Sequence, residues 1–380
     1  MEEKLRQLIG RNLKTARESI GLSQEVFAEK LGISRATLSA VENGHVSIDS
    51  TKLIMASRAL SRPINEFFKE EGEELAFLYR AAEKMVPSEQ VRAKFQNFCE
   101  AYREIEEIVG VADNVLAPPE YPFTPQHNSK PLQFAAQVAA SERERLGLGK
   151  AEPITNIFTL LEENGVRILA REIEQDDLFG VSAFSKQYGP CIFVNSRNTI
   201  ERQMFTLAHE YGHLLMHRDR YRNANPTTER ETDLEAMAHE FARRFLVAPP
   251  ALNEFLARNV GDRKIGLEDI VTAKHHFKVS LKVISLSLLN ERRISENDKK
   301  DLWAKADQLG RAEFAPLDKD KFFKDWVEVR RFETLARKAV MAEMISIGKL
   351  SEILDQNLLE TRTQVQAWRK ELSFASARLT

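Results

Sequence analysis

Apolar positions recur at helical spacing from the first residues of the chain. Leu5, Leu8, Ile9, Leu13 and Ala16 fall on one face of a helix that Gly21 stops. Ser23 caps a second helix, Gln24 to Leu31, and Gly32 makes a turn. Ser34 caps a third helix, Arg35 to Asn43, which closes at Gly44. A fourth helix is predicted over 51–60 and a shorter one over 63–69. Residues 71–111 are helical and heavily charged, which predicts a connecting helix or helical hairpin acting as a solvated spacer or, alternatively, a dimerisation helix. The stretch 117–131, APPEYPFTPQHNSKP, holds five prolines in fifteen positions and reads as a linker or a strap. Helices over 132–146 and 154–164 follow. Next come strand-like runs at Val166–Ala170, Val181–Phe184 and Cys191–Val194. Helices over 198–217 and 229–246 come after, and the second stops at Pro249–Pro250. Beyond 250 the chain is mostly helical, with a helix-turn-helix cadence over 265–290 and 345–371. The latter reads as a helical cap or a partner-binding motif, and Trp303, Trp326 and Trp368 as core or interface anchors.

The pattern is that of a mainly α chain with a small β-sheet, an α+β fold. At 380 residues, two or three domains are the natural expectation, and 43 % hydrophobic residues supply real cores. A net charge of -2 means that any nucleic-acid binding comes from a local basic face. Cys99 and Cys191 stand far apart in the sequence and in no metal-ligand spacing, which fits reduced thiols in a cytoplasmic protein. No signal-peptide stretch and no run of eighteen apolar residues is present, so no membrane role is expected.

The chemistry concentrates at His209-Glu210-Tyr211-Gly212-His213. Positions i and i+4 share a helix face, so the two imidazoles can grip one ion while Glu210 serves as catalytic base. Zn2+ is the expected cofactor; ligand type alone leaves manganese or iron open. A catalytic zinc needs a third protein ligand and an open position, and Glu235 on the following helix is the candidate. Phe205, Leu207, Ala208, Leu214 and Leu215 mark the motif helix as buried, where two histidines and a glutamate are costly unless something binds them. His217 lies about 12 Å along the axis from His209 and cannot share one ion with both other histidines on a straight helix. It reads as a capping or supporting residue near the helix end. His239 is positioned to orient Glu235 or to contact substrate, with a ligand role as the lesser reading.

These residues resemble the ImmA/IrrE metallopeptidases fused to an Xre-type helix-turn-helix. The resemblance runs through Arg202 to Leu215, through Ile192–Asn195, similar to the family's edge strand leading to the site, and through Glu235, Ala238, Phe241 and Ala242 ending at Pro249. His239 is a departure, since the family usually has Asn there. At the other end, Ser23-Gln24-Glu25, Phe27-Ala28, Leu31-Gly32-Ile33-Ser34, Thr37-Leu38 and Val41-Glu42-Asn43-Gly44 resemble Xre domains. The implied organisation is a DNA-binding domain over 1–70, a connector and linker over 71–131, a zincin-like α+β peptidase domain over 132–290 and a helical region over 291–380. The implied activity is cleavage of a transcriptional repressor under stress or mobile-element control.

In the helix-turn-helix, the third helix would enter the major groove with its N-terminal residues at base edges. Arg35, Ala36 and Ser39 point outward by spacing, and Arg35 is the best base reader, favouring guanine. Ser34 and Thr37 sit at the same helix start, and Gln24 and Asn43 are candidate phosphate contacts. Residues 1–70 are nearly balanced in charge, which leaves a helical protein-contact domain as the competing reading. The expected partners are a double-stranded operator, a repressor protein as substrate, and a second copy in a homodimer. A different class of function is a non-catalytic regulator or antitoxin whose peptidase-like domain senses a ligand or partner.

Overall fold

Local capping chemistry builds the N-terminal unit, Met1–Glu74. The computed structural model describes residues 2–60, 62, 64–68, 76–78, 88–112, 117–123, 130–175, 177–218, 231–308 and 331–377. Helix α1 spans Glu2–Ser19, α2 Gln24–Leu31, α3 Arg35–Glu42 and α4 Ser50–Leu60, followed by a 3-10 turn at Ile64–Phe68. Ser23 Oγ accepts from the Val26 amide at 3.2 Å and Ser34 Oγ from the Thr37 amide at 3.0 Å, which satisfies donors the helix starts leave open. Gly32 ends α2 at φ +63°, a left-handed conformation in which glycine is unstrained. Leu13, Phe27, Ala28, Leu31, Leu38 and Val41 form the core. A Cβ at Gly10 would lie 2.1 Å from the Val41 carbonyl oxygen, so α1 and α3 cross at a distance only glycine allows.

The second unit, Leu75–Thr380, is built on a four-stranded sheet. Its strands are β1 Ala76–Leu78, β2 Arg167–Arg171, β3 Gly180–Ser185 and β4 Gly189–Asn195. The order is β1-β3-β4-β2; β2 runs parallel to β4, and the other two pairings are antiparallel. The expectation that Ile192–Asn195 is an edge strand is corrected here. Strand β4 pairs on both sides and is buried along Pro190–Asn195, as a central strand covered on both faces must be. The edge strands of the sheet are β1 and β2.

Side chains alternate between the two faces of the sheet. On one face Val181, Ala183, Cys191 and Phe193 pack with Val91, Phe95 and Cys99 of α5, Glu89–Val109. On the other, Ile168, Ile192 and Val194 pack with Leu207, Ala208 and Tyr211 of α8, Ile200–Met216. That larger core takes in α6 (Pro131–Arg145), α7 (Ile157–Glu163), α9 (Glu231–Leu246), α10 (Pro249–Asn259), α11 (Leu267–Phe277), α12 (Leu281–Asn290) and α13 (Glu296–Gln308).

Helix α5 is not a solvated spacer. Its Phe95, Cys99, Tyr102 and Ile105 are almost fully buried. The half away from the sheet packs Tyr102 and Ile105 against α14 (Arg331–Met341), α15 (Ile347–Leu354) and α16 (Leu358–Ala377), through Phe332, Leu335, Leu350, Ile353, Val365 and Trp368. Buried Glu106 of α5 fastens the two parts together. It accepts from Arg167 of β2 at 2.5 Å and from Arg331 of α14 at 2.5 Å. The segment read as a plain cap therefore shares its core with α5, and it carries Trp368; Trp303 is half-buried on the larger core, and Trp326 lies outside the described residues. Of the proline-rich strap, 117–123 is described: the Tyr121 amide donates to the Leu215 carbonyl near the end of α8 at 2.7 Å. Among the described residues, no helix is long and apolar enough to cross a membrane.

Candidate metal centre and nucleic-acid interface

Helix α8 is buried along most of its length because α9, the sheet and the strap cover it. Glycine at two positions permits this closeness. A Cβ at Gly212 would meet the Phe241 ring of α9 at 2.8 Å, and one at Gly180 would meet Thr206 Cγ2 of α8 at 2.4 Å. Inside the motif, Tyr211 donates its hydroxyl to buried Glu142 of α6, which also binds Tyr121 and Arg145. These contacts fix the rotation of α8 about its axis and so aim the histidines.

His209 and His213 point their Nε2 atoms at each other, 3.1 Å apart. Glu235 of α9 closes the triangle, with one carboxylate oxygen 3.3 Å from His209 Nε2 and the other 3.2 Å from His213 Nε2. Ligands 2.0–2.1 Å from a tetrahedral zinc stand roughly 3.3–3.4 Å apart, so the three edges fit one ion. Burial raises the Glu235 carboxyl pKa, but the adjacent His213 and His209 outweigh it, leaving the group well below the usual carboxylate range. The donor set is thus two imidazoles and a carboxylate, borderline ligands suited to zinc.

The surrounding residues orient this set. His217 sits at the C-cap of α8, its amide bonded to the His213 carbonyl at 2.9 Å, and its Nδ1 lies 2.8 Å from His213 Nδ1. With a proton shared on that side, His213 presents Nε2 as a lone pair, the tautomer a metal needs. His239 is exposed, with Nδ1 2.9 Å from the Glu235 carbonyl oxygen and its ring centroid 4.5 Å from that of His209. It joins His209 and Glu235 in a group whose ligand atoms lie within 4.8 Å of one another, a looser set than the His209–His213–Glu235 triangle. Glu210 is buried between α8 and the sheet, and Ser182 Oγ of β3 donates to its Oε2 at 2.5 Å. Sequence reading missed Ser182 and Glu142. Side-chain alternation along β3 places Ser182, like Gly180, on the α8 face, but its partner is 28 residues away in sequence.

In the N-terminal unit, Ser34, Arg35, Ala36 and Thr37 stand exposed at the start of α3, and Ser39 is half-buried one turn on. Gln24 donates to Glu42 at 2.8 Å, and Glu42 is held by a buried pair with Arg17 at 2.6 Å. Gln24 thereby braces α2 on α3. Exposed Asn43 caps the far end of α3, its side-chain amide bonded to the Ser39 carbonyl at 2.8 Å. Ser34 and Arg35 therefore share one end of the helix, and Asn43 lies at the other.

Residues 161–289 match the family model of the M78 peptidases, described as an IrrE N-terminal-like domain. Residues 13–67 match a helix-turn-helix model. No curated protein matches the chain.

Proposed function

From a helix-turn-helix fused ahead of an IrrE-like peptidase domain, we propose a DNA-binding regulator whose second unit is a zinc-dependent endopeptidase that cleaves a repressor protein. The observation that carries this reading is the triangle of His209, His213 and Glu235 with Glu210 on the same helix. The three would hold the ion. When bound, zinc supplies Lewis acidity that brings an attacking water into the neutral titration range. Glu210 takes the proton of that water at its carboxylate and returns it to the leaving amide nitrogen. Ser182 Oγ fixes the Glu210 rotamer for this transfer, and His217 holds the His213 ring.

Exposed Arg35 at the start of α3 reads guanine in the major groove, and a homodimer places two such helices on two half-sites. One observation favours the sensing alternative: His209, Glu210 and His213 are each at most 2 % exposed, which is little access for a bulky substrate.

The deciding experiment measures bound metal and repressor cleavage in wild type, in His209→Ala/His213→Ala and in Glu210→Gln. The reading expects about one zinc per wild-type chain, loss of metal in the first variant, and retained metal without cleavage in the second. Metal in wild type with no cleavage of any co-encoded repressor, and regulation unchanged in Glu210→Gln, would select the sensor.

A further inference from the structure

Two i, i+4 pairs meet at the metal centre. His209 and His213 stand four apart on α8, and Glu235 and His239 stand four apart on α9, the helix packed against it. Residues at that spacing share a helix face, so each helix offers two donors. The ring centroid of His239 lies 4.5 Å from that of His209 at an interplanar angle of 75°. The ring of His213 lies 4.8 Å from His209 at 78°. The His209 ring is therefore met in the same way from both helices. Nδ1 of His239 is 2.9 Å from the Glu235 carbonyl oxygen, which can only accept, so Nδ1 carries the proton and Nε2 holds a lone pair. A neutral imidazole whose other nitrogen donates to a backbone carbonyl is the arrangement that metal-ligating histidines adopt.

His209, Glu235 and His239 offer ligand atoms within 4.8 Å of one another, against edges of 3.1 to 3.3 Å in the His209, His213 and Glu235 triangle. His239 is thus the outermost of the four donors. It is also exposed, whereas His209 and His213 are at most 2 % exposed. We propose that His239 is a fourth and displaceable protein ligand, which closes the centre at rest and gives way to a carbonyl oxygen of an incoming peptide. Four protein ligands fill a tetrahedral zinc as in a structural site, while peptide hydrolysis needs one position open. An exposed imidazole changes rotamer fast, so it is the donor that a substrate can turn aside. The proposal rests on the peptidase reading above. It adds what holds the centre shut and what opens it.

The test uses the full chain with nitrogen-labelled histidine rings, as wild type and as His239→Asn, titrated with Zn2+ and followed by NMR. Asparagine can keep a bond to the Glu235 carbonyl, as Asn43 does to the Ser39 carbonyl, but it has no ring lone pair to offer. Three zinc-bound ring nitrogens are expected in wild type and two in the variant. The variant should also hold zinc about tenfold less tightly in competition with a chelator. Acetohydroxamate, a bidentate oxygen donor, is then expected to release the third nitrogen in wild type. Two bound nitrogens in both proteins would overturn the proposal, and so would a third that acetohydroxamate cannot displace. A third nitrogen that binds and is displaced, with no co-encoded repressor cut by either protein, would sink the peptidase reading and leave the ligand set in place. No bound ring nitrogen in either protein would remove the metal centre and the proposal with it.

Discussion

At the scale of single residues, the site depends on groups outside the motif that hold the motif still. Ser182→Ala removes a short charge-assisted bond to Glu210 without touching a metal ligand. Peptide hydrolysis is expected to fall by about one to two orders of magnitude with bound zinc unchanged, because the base is left mispositioned and not lost. Parallel kinetics and elemental analysis check this; equal loss of metal and activity would make Ser182 a structural prop. A second residue gives a pH dependence. Burial lowers Lys278 from the ordinary 10.5 to about 8, and its ammonium donates to the Thr155 carbonyl. The folded state therefore disfavours the charged form. The destabilisation is full below about pH 8 and fades as pH rises towards 10.5, where the unfolded chain also loses the proton. In urea titrations, wild type should gain stability relative to Lys278→Met between those limits, and a pH-independent difference would contradict it.

At the scale of elements, spacing set by glycine decides whether the pieces of the site meet. Gly180→Val would drive a side chain into Thr206 and the Phe193 carbonyl and push β3 away from α8. Overpacking of this kind typically costs about 1–3 kcal/mol. We expect a melting point lowered by several degrees and weaker zinc retention; scanning calorimetry with metal analysis measures both. The elements legible in the sequence were those written locally. Ser23, Gly32 and Ser34 mark the ends of α2 and α3, and the i, i+4 histidines mark α8. What could not be read is what distance in sequence hides. The charged composition of 71–111 masked a stripe at Val91, Phe95, Cys99, Tyr102 and Ile105, whose steps of four, four, three and three are a helix face. Counting that stripe would have exposed α5 as a core helix. No local signal pairs residues 76–78 with β3, or joins Ser182 to Glu210, because each depends on a fold already formed. The same holds for Cys99 and Cys191, brought into one core from α5 and β4. There burial, with Cys191 beside it, pushes the Cys99 thiol well up.

At the scale of the whole molecule, the two units differ in what their removal does. Loss of residues 1–74 leaves the core residues of the second unit with their partners. Loss of 331–377 strips Tyr102 and Ile105 of their cover and removes one of two arginines from buried Glu106. An uncompensated buried charge and an exposed apolar face are each severely destabilising. The first deletion is expected to give a protein that melts cooperatively, and the second one that aggregates or melts without a clear transition. Circular dichroism and size-exclusion chromatography tell them apart; a well-folded second deletion would show the shared core to be dispensable.

That shared core also fixes an order of events on the ribosome. Helix α5 emerges more than two hundred residues before α14, α15 and α16, which cover half of it. At about 5–20 residues per second, its apolar face waits some ten seconds or more for those partners. Among the described residues, the hydrophobic core of the N-terminal unit is built from that unit alone, so it can fold as soon as it is made. A ribosome that stalls or terminates early would thus release a finished DNA-binding module joined to an unfinished, chaperone-dependent remainder.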